Sequence, residues 1–339
     1  MDELKLLPPQ PANVPFPTDQ WPMGAPVESV DGEKLQKLTE AAFAEQDRYG
    51  ETHALLAVHR GRLVFERYGD GYGPEETYRS WSMAKSVTHA LIGLLLRDGK
   101  LSLEGPAPVP RWEPGDSRHE ITLENMLRMQ DGLDFVEEYV PNVGSDVIPM
   151  LFQEGKDDVA AFAEDRPLAH PPGTVWNYSS GTSNIIAAIA GRAIGGGAPG
   201  TRAYLERELL HPIGMRSATP RFDAAGTFIG SSYLFASARD FARFGLFYLR
   251  DGVWDGKRIL PEGWVDHART TTPGSAGEYG AHWWLRLVGE DSFHCSGFQG
   301  QYTLCVPSRD LVVVRLGVST PEHREHVRLW LAEFVALFD

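Results

Sequence analysis

Two periods of hydrophobic spacing run along this chain, and they predict both helices and strands. Apolar residues every three or four positions are typical of an amphipathic helix, whereas alternation or a short apolar run is typical of a strand. Residues 54–59 and 62–68 have the second pattern and flank Arg60-Gly61, which predicts a β-hairpin. The helical pattern predicts one helix that begins near residue 31. It predicts further helices over residues 82–97, 123–129, 147–152, 157–163, 183–194, 201–210, 238–249, 260–269 and 323–338.

The order of these elements predicts the fold class. Strands are predicted again near the C-terminus, over residues 282–288, 292–296, 301–306 and 311–316, and the tight turns between them favour an antiparallel sheet. The early hairpin and the late strands can share that sheet. We therefore expect an α/β (α+β) fold, in which an antiparallel sheet is flanked by helices and a mostly helical lobe is inserted between its strands.

The same order divides the chain into an arm and two lobes. Seven prolines between residues 8 and 26 forbid regular structure, so residues 1–30 are expected to form an extended arm whose aromatic side chains pack on the body. Residues 31–81 and 216–339 are expected to form an α/β lobe. Residues 82–215 are expected to form the helical lobe, with the candidate active site at the seam.

Composition excludes several classes of partner. The chain has 339 residues, with 32 Lys and Arg against 46 Asp and Glu, and its net charge of −14 disfavours nucleic acid and anionic membrane surfaces. Two cysteines are too few for a disulfide scaffold, a thiolate zinc site or an iron–sulfur cluster.

The sequence has neither a signal-peptide pattern nor an apolar run that could span a bilayer, which predicts a cytoplasmic protein. The pattern does not specify an oligomeric state.

Ser82-Met83-Ala84-Lys85 carries the first candidate chemistry. A serine hydroxyl needs a base within hydrogen-bond reach to become a nucleophile, and residues three apart at the start of a helix share a face. An apolar helix follows Lys85, so its side chain is expected to be buried. A helix-capping serine with a surface lysine is the alternative interpretation of the same residues.

Two further segments carry polar groups suited to a cleft. Tyr178 lies in the loop Trp176-Asn177-Tyr178-Ser179-Ser180-Gly181, where a lysine ammonium is expected to lower the pKa of its phenol and make it a general base. A packing tyrosine beside a capping serine fits this segment equally well. In residues 293–301 a strand ends in Ser296-Gly297 and can lay a backbone N–H beside a nucleophile; the alternative is an ordinary hairpin turn.

In this order, the three segments resemble the serine β-lactamase and penicillin-recognising hydrolase superfamily, which has Ser-x-x-Lys, a tyrosine motif and a Lys-Thr-Gly-like strand. Within that superfamily the chain looks closest to the class C β-lactamase-like esterases and the 6-aminohexanoate-dimer hydrolases. The resemblance covers roughly residues 30–335. Supporting segments are residues 129–134, 210–215, 236–245 and 279–284.

The resemblance implies a role for each matching residue. Ser82 is implied to be the acylated nucleophile, with Lys85 and Tyr178 as the proton-transfer pair. The backbone N–H groups of Ser82 and Phe298 are implied to form the oxyanion hole. No metal and no organic cofactor is implied. The implied substrate-binding residues are Tyr139, Ser180 (in place of the asparagine of Tyr-x-Asn), Cys295, Ser296 and Gly297.

One departure from the family pattern affects the expected substrate. Cys295-Ser296-Gly297 stands where β-lactamases have Lys-Thr-Gly, so the cation that binds a β-lactam carboxylate is missing. We therefore expect a serine hydrolase that cleaves a small ester, amide or short peptide through an acyl-enzyme on Ser82. One alternative is a D-aminopeptidase, a weak β-lactamase or a penicillin-binding protein. The other is a catalytically inert binding protein on the same scaffold.

Overall fold

A central antiparallel sheet joins the first and last strands of the chain. The computed structural model describes residues 4–139 and 144–338. Its strands are β1 (Glu51–His59), β2 (Arg62–Tyr68), β3 (Thr77–Arg79), β4 (Thr219–Pro220), β5 (Leu234–Ser237), β6 (Val253–Trp254), β7 (Lys257–Arg258), β8 (Trp284–Leu285), β9 (Phe293–Gly297), β10 (Gln301–Val306) and β11 (Leu311–Val318). The main sheet has the order β2-β1-β11-β10-β9-β8, and each neighbouring pair is antiparallel. The predicted fold class is therefore confirmed.

Helices cover both faces of this sheet. On one face lies α9, with α3 and α7 beyond it, and on the other face lie α1 and α11. A second small sheet, β3-β5-β4, lies beside the start of α3. The α-helices are α1 (Gly32–Ala44), α2 (Gln46–Tyr49), α3 (Ala84–Arg97), α4 (Leu123–Leu127), α5 (Val147–Phe152), α6 (Val159–Glu164), α7 (Ser180–Ile194), α8 (Gly197–Leu205), α9 (Ala238–Leu249), α10 (Trp264–Arg269) and α11 (Arg324–Val335).

Residues 54–58 of β1 are buried on both faces of the sheet, which explains their unbroken apolar sequence. Leu56 faces the α9 side, whereas Leu55 faces α1 and α11. A strand covered on both sides has no polar face to alternate with, so its sequence is a continuous apolar run. Gly245 lets α9 approach the sheet closely, because a Cβ at that position would lie 2.7 Å from Val312 Cγ1.

Two predicted elements are shorter than the sequence pattern indicates. The predicted strand over residues 282–288 is reduced to β8, because His282 and Arg286 have φ angles of 56° and 60° that interrupt the extended backbone on both sides. The helix predicted from residue 260 begins only at Trp264, after Gly263 in the left-handed conformation. Strands β3, β4 and β5 are too short to show a period of two.

The described part of the N-terminal arm, residues 4–30, packs on the body without forming a helix. Trp21 is only 8% exposed, and the Phe16 ring lies 4.8 Å from that of Trp254. The division into an arm and two lobes stays a prediction. In the described part of the chain, no helix has the length and apolar character needed to cross a membrane. The same residues contain no group of three or more His, Cys, Asp or Glu side chains placed to hold a metal ion.

Candidate active site

Ser82 and Lys85 lie where β3 leads into α3. Ser82 is in a single 3₁₀ turn, Trp81–Met83, and Lys85 is in the first turn of the helix that follows. The two side chains meet as expected, with Lys85 Nζ 3.1 Å from Ser82 Oγ. Trp81, directly before the serine, has a φ of 47°. This left-handed conformation is strained for a residue with a Cβ, and such strain is typical of functional turns.

Lys85 is a buried lysine, with 1% of its surface exposed. Its Nζ also lies 2.9 Å from Ser180 Oγ and 3.2 Å from the carbonyl oxygen of Ser231. Burial lowers the pKa of Lys85 from its ordinary value of 10.5 to about 8, because an ammonium is poorly solvated there, and the charge of Glu137 partly opposes the change. The alternative interpretation of this residue as a surface lysine is therefore wrong.

Tyr178, in the loop before α7, faces the same lysine. Lys85 Nζ lies 4.8 Å from the centre of the phenol ring. The pKa of Tyr178 is nevertheless raised above its ordinary value of 10.0, first by removal from water and then by the negative charge of Glu137, with hydrogen bonding to Ser82 opposing both. The expectation that Lys85 lowers this pKa is wrong. Tyr178 is instead a protonated phenol at neutral pH and is suited to donating a proton.

Strand β9 lies directly against the turn that carries Ser82. Gly297, its last residue, permits this approach, since a Cβ there would lie 2.4 Å from the carbonyl oxygen of Ser80. The next residue is Phe298, whose ring lies 5.4 Å from that of Trp81. The backbone of residues 297–298 is thus close to the candidate nucleophile. The pairing of the Ser82 and Phe298 N–H groups as an oxyanion hole stays a prediction.

Ser180 and Tyr139 meet at a carboxylate that the sequence analysis does not single out, Glu137. Ser180, the first residue of α7, donates its N–H to Glu137 Oε2 at 2.8 Å and its O–H to Oε1 at 2.7 Å. The Tyr139 hydroxyl donates to the same Oε1 at 2.8 Å. In sequence, Glu137 differs from Glu138 only in lying two positions before Tyr139. That spacing places the Glu137 and Tyr139 side chains on the same side of an extended segment.

The remaining candidates on β9 face in different directions. Cys295 is buried with its thiol toward Ser86 of α3, and burial raises the pKa of that thiol to about 12, so it is not a reactive thiolate at neutral pH. Ser296 is half-buried. Cys295 pairs across the hairpin with Thr303, and both Cys295 and Cys305 are free thiols. Substrate contacts by Cys295, Ser296, Gly297, Tyr139 and Ser180 stay predictions.

Aromatic rings make the walls beside Ser82 apolar. The Tyr178 ring lies 5.2 Å from Trp284 and 5.8 Å from Tyr279. The Tyr139 ring stacks on Phe298 at 4.9 Å. Apolar surroundings strengthen the electrostatic interactions of the polar groups between them.

Together these groups have the composition of an acyl-transfer site. Ser82 offers a hydroxyl group, Lys85 offers an amine with a pKa of about 8, and Tyr178 offers a phenol that retains its proton. Nucleophilic catalysis by serine needs a base and an acid of this kind, within reach of one another.

The chain matches a known protein family and a characterised relative. The family model described as Beta-lactamase matches residues 36–338. A 6-aminohexanoate-dimer hydrolase from Paenarthrobacter ureafaciens is 26% identical over 289 residues, which covers 78% of this chain and 72% of that protein.

Two solved structures share the fold. A candidate 6-aminohexanoate-dimer hydrolase from Bacillus anthracis superposes with a TM-score of 0.77 and 22% identity, covering 99% of this chain and 90% of that one. A family VIII carboxylesterase superposes with a TM-score of 0.67 and 14% identity, covering 92% of this chain and 99% of that one. At these identities the likeness supports the fold alone. Because the family model spans most of the sequence, the chain belongs to the Beta-lactamase family, and it is a serine hydrolase related to the β-lactamases.

Proposed function

We propose that this protein hydrolyses an ester or amide bond of a small molecule through an acyl-enzyme on Ser82. The observation that carries the proposal is the 3.1 Å contact between Ser82 Oγ and the buried Lys85 Nζ. An ordinary lysine is fully charged at neutral pH and cannot accept a proton. A lysine with a pKa of about 8 is neutral in about one molecule in ten at pH 7, which makes it a usable general base.

The contacts of Lys85 support its assignment as the base. The Ser231 carbonyl oxygen can only accept a hydrogen bond, and the Ser180 hydroxyl already donates to Glu137, so both must accept from Lys85. A neutral lysine has two N–H groups and one lone pair. Both N–H groups are committed to these acceptors, so the lone pair is directed to the Ser82 O–H.

The proposed reaction has two stages. In the first, the Ser82 oxygen attacks the carbonyl carbon while its proton passes to Lys85, and the resulting oxyanion is bound by the N–H groups of Ser82 and Phe298. The bond to the leaving group then breaks as Tyr178 donates its proton to it, and the Lys85 ammonium returns a proton to Tyr178. In the second stage, water attacks the acyl carbonyl carbon as one of its protons passes to Lys85. The bond to the Ser82 oxygen then breaks, the acid is released and Lys85 returns the proton to Ser82.

Esters and linear amides are the favoured substrates. One relative is named for hydrolysis of the 6-aminohexanoate dimer, and one fold neighbour is named a carboxylesterase. Cys295 stands where the β-lactamase pattern has a lysine, and its buried thiol offers no cation for a β-lactam carboxylate. The aromatic walls beside Ser82 suit an apolar acyl or leaving group.

Labelling with a fluorophosphonate tests this proposal. We expect the wild-type protein to take up one phosphonyl group on Ser82, located by peptide mass spectrometry, and to lose its hydrolysis of p-nitrophenyl acetate in parallel. Ser82→Ala is expected to remain unlabelled and to hydrolyse the ester about 10³-fold more slowly or worse. Ser102→Ala, an exposed serine of the same chain, is the matched control and should behave as wild type.

A substrate panel separates the proposal from its alternatives. Wild-type protein is assayed with p-nitrophenyl esters, linear aminoacyl amides, D-amino-acid amides and a chromogenic cephalosporin. Turnover of esters or linear amides supports the proposal, whereas preference for D-amides or the cephalosporin supports a peptidase or β-lactamase. No label on Ser82 and no turnover of any substrate would identify a catalytically inert binding protein.

A further inference from the structure

Glu137 is half-buried beside the catalytic groups, and its two oxygens accept three hydrogen bonds. Oε2 accepts from the Ser180 N–H at 2.8 Å, and Oε1 accepts from the Ser180 hydroxyl at 2.7 Å. Oε1 also accepts from the Tyr139 hydroxyl at 2.8 Å. The carboxylate is thereby fixed to the first residue of α7, and Ser180 itself is fully buried.

Only a carboxylate can accept a hydrogen bond from all three of these donors. Both of its oxygens face donors, and one of those donors is a backbone N–H that cannot reverse its direction. An amide of the same shape has one acceptor oxygen and one N–H₂ group. With its oxygen toward the Ser180 N–H, the amide would present its hydrogens to the Ser180 hydroxyl, which would then have to turn its own proton elsewhere.

The direction of the Ser180 hydroxyl decides what Lys85 can do. While Ser180 donates to Glu137, its oxygen can only accept from Lys85 Nζ, at 2.9 Å. If Ser180 were free to turn, its proton would compete with that of Ser82 for the lone pair of a neutral lysine. The Glu137 carboxylate prevents this competition. It acts through Ser180, since the hydrogen bonds described above link it to Ser180 and Tyr139 and not to Lys85 or Ser82.

We propose that Glu137 is a positioning residue of this active site, which holds the Ser180 hydroxyl in its accepting orientation and so directs the Lys85 lone pair to Ser82. The proposal rests on the proposed function, since it assumes acylation of Ser82 with Lys85 as the base. It adds the Glu137 carboxylate to the proposed catalytic groups Ser82, Lys85 and Tyr178. It also assigns a donor and an acceptor to each hydrogen bond around Lys85.

Glu137 also acts on Lys85 through its charge. It is the carboxylate whose charge raises the Lys85 pKa in the described part of the chain, against the larger effect of burial. The other titratable groups that face this lysine are neutral at neutral pH. The pKa of Tyr178 is raised, and burial lowers the pKa of His282 to about 3, where its ring is held by Ser183 Oγ and the Leu127 carbonyl oxygen.

The substitution Glu137→Gln separates positioning from a merely structural role. We expect the maximal rate constant for acylation of Ser82 to fall about 10- to 100-fold, the range expected when a reacting group is misdirected. We also expect the pH midpoint of that rate to move downward from its wild-type value. Loss of the negative charge disfavours the ammonium, so Lys85 becomes neutral at lower pH. Loss of packing alone would lower the rate and leave the midpoint unchanged.

Two further variants complete the test. Glu138→Gln removes an exposed neighbouring acid and is the matched control, with rate and midpoint expected as in wild type. Ser180→Ala removes the link but keeps the charge, so we expect a similar fall in rate with a smaller shift of the midpoint. The double variant Glu137→Gln with Ser180→Ala should be little worse than the slower single variant, because both act through one contact.

The readouts are the rate of fluorophosphonate labelling of Ser82 as a function of pH, and thermal unfolding of each variant. If the wild-type protein is labelled but Glu137→Gln has the same labelling rate or the same pH midpoint as wild type, the role of Glu137 is overturned and the proposed function stands. Absence of labelling in wild type would overturn the proposed function and the inference with it. If Glu137→Gln does not fold, a Ser180→Ala rate within threefold of wild type overturns the positioning role.

Discussion

Replacement of Lys85 by methionine is expected to lower the rate constant for acylation of Ser82 by about 10²- to 10⁴-fold, the range attributed to a general base. Methionine retains an unbranched apolar stem of similar length, but it has no nitrogen to accept the serine proton. The 3.1 Å contact between Lys85 Nζ and Ser82 Oγ would be lost. The phenol of Tyr178, which also hydrogen-bonds with Ser82, keeps its proton at neutral pH and does not replace the lost base.

Burst kinetics with p-nitrophenyl acetate measure this rate directly. Lys100→Met, an exposed lysine just after α3, is the matched control and should acylate at the wild-type rate. Thermal unfolding of the Lys85→Met protein must be recorded, because the Ser231 carbonyl oxygen loses a partner while a buried charge is removed. A folded Lys85→Met protein that acylates within threefold of wild type would show that Lys85 is not the base.

Replacement of Gly297 by alanine is expected to lower acylation by about 10²-fold through a displacement of β9. The added Cβ would lie 2.4 Å from the carbonyl oxygen of Ser80, about 1 Å closer than ordinary contact. Ser80 cannot yield easily, because its N–H donates to the Leu234 carbonyl oxygen at 2.8 Å and its hydroxyl accepts from the Leu234 N–H at 3.1 Å. The strand must therefore move away from Ser82 and take the Phe298 N–H with it.

The same substitution is expected to cost about 1–3 kcal/mol in free energy of unfolding, as other insertions into packed sites do. Gly289→Ala is the matched control in the loop before β9, since the nearest atom to its Cβ, Asp291 Oδ1, lies 3.9 Å away. Acylation rates and denaturant unfolding of both variants distinguish misplacement from loss of fold. A Gly297→Ala protein with wild-type acylation would contradict the predicted place of Phe298 in the oxyanion hole.

The sequence predicts the framework of this fold because its main elements have strong local patterns. Strands buried on both faces, such as β1, appear as apolar runs, and the helical spacing after Ser82 predicts α3 almost to the residue. The meeting of Ser82 and Lys85 also follows from local geometry, since three positions at the start of a helix bring both side chains to one side.

The electrostatics of the site depend on tertiary contacts that no local pattern contains. Glu137 reaches Ser180 across 43 positions of the chain, and its local sequence sets it apart from Glu138 only by its spacing from Tyr139. The predicted direction of the Tyr178 pKa is wrong because burial of the phenol, and after it the charge of Glu137, raise that pKa, and neither effect is visible in the local sequence. The positive φ angles of His282 and Arg286 are likewise set by packing, and they shorten a strand whose residue pattern predicts a longer one.

The most direct test of a lysine-activated Ser82 is the pH dependence of its labelling by a fluorophosphonate, measured in wild-type protein between about pH 5 and pH 10. The fraction of neutral Lys85 grows as pH rises through its pKa. The rate of labelling should therefore increase about tenfold per pH unit at low pH, reach half its maximum near pH 8, and then level off. A rate that does not depend on pH, or one that is still rising steeply at the upper end of this range as the ordinary lysine pKa of 10.5 would require, would contradict activation of Ser82 by Lys85.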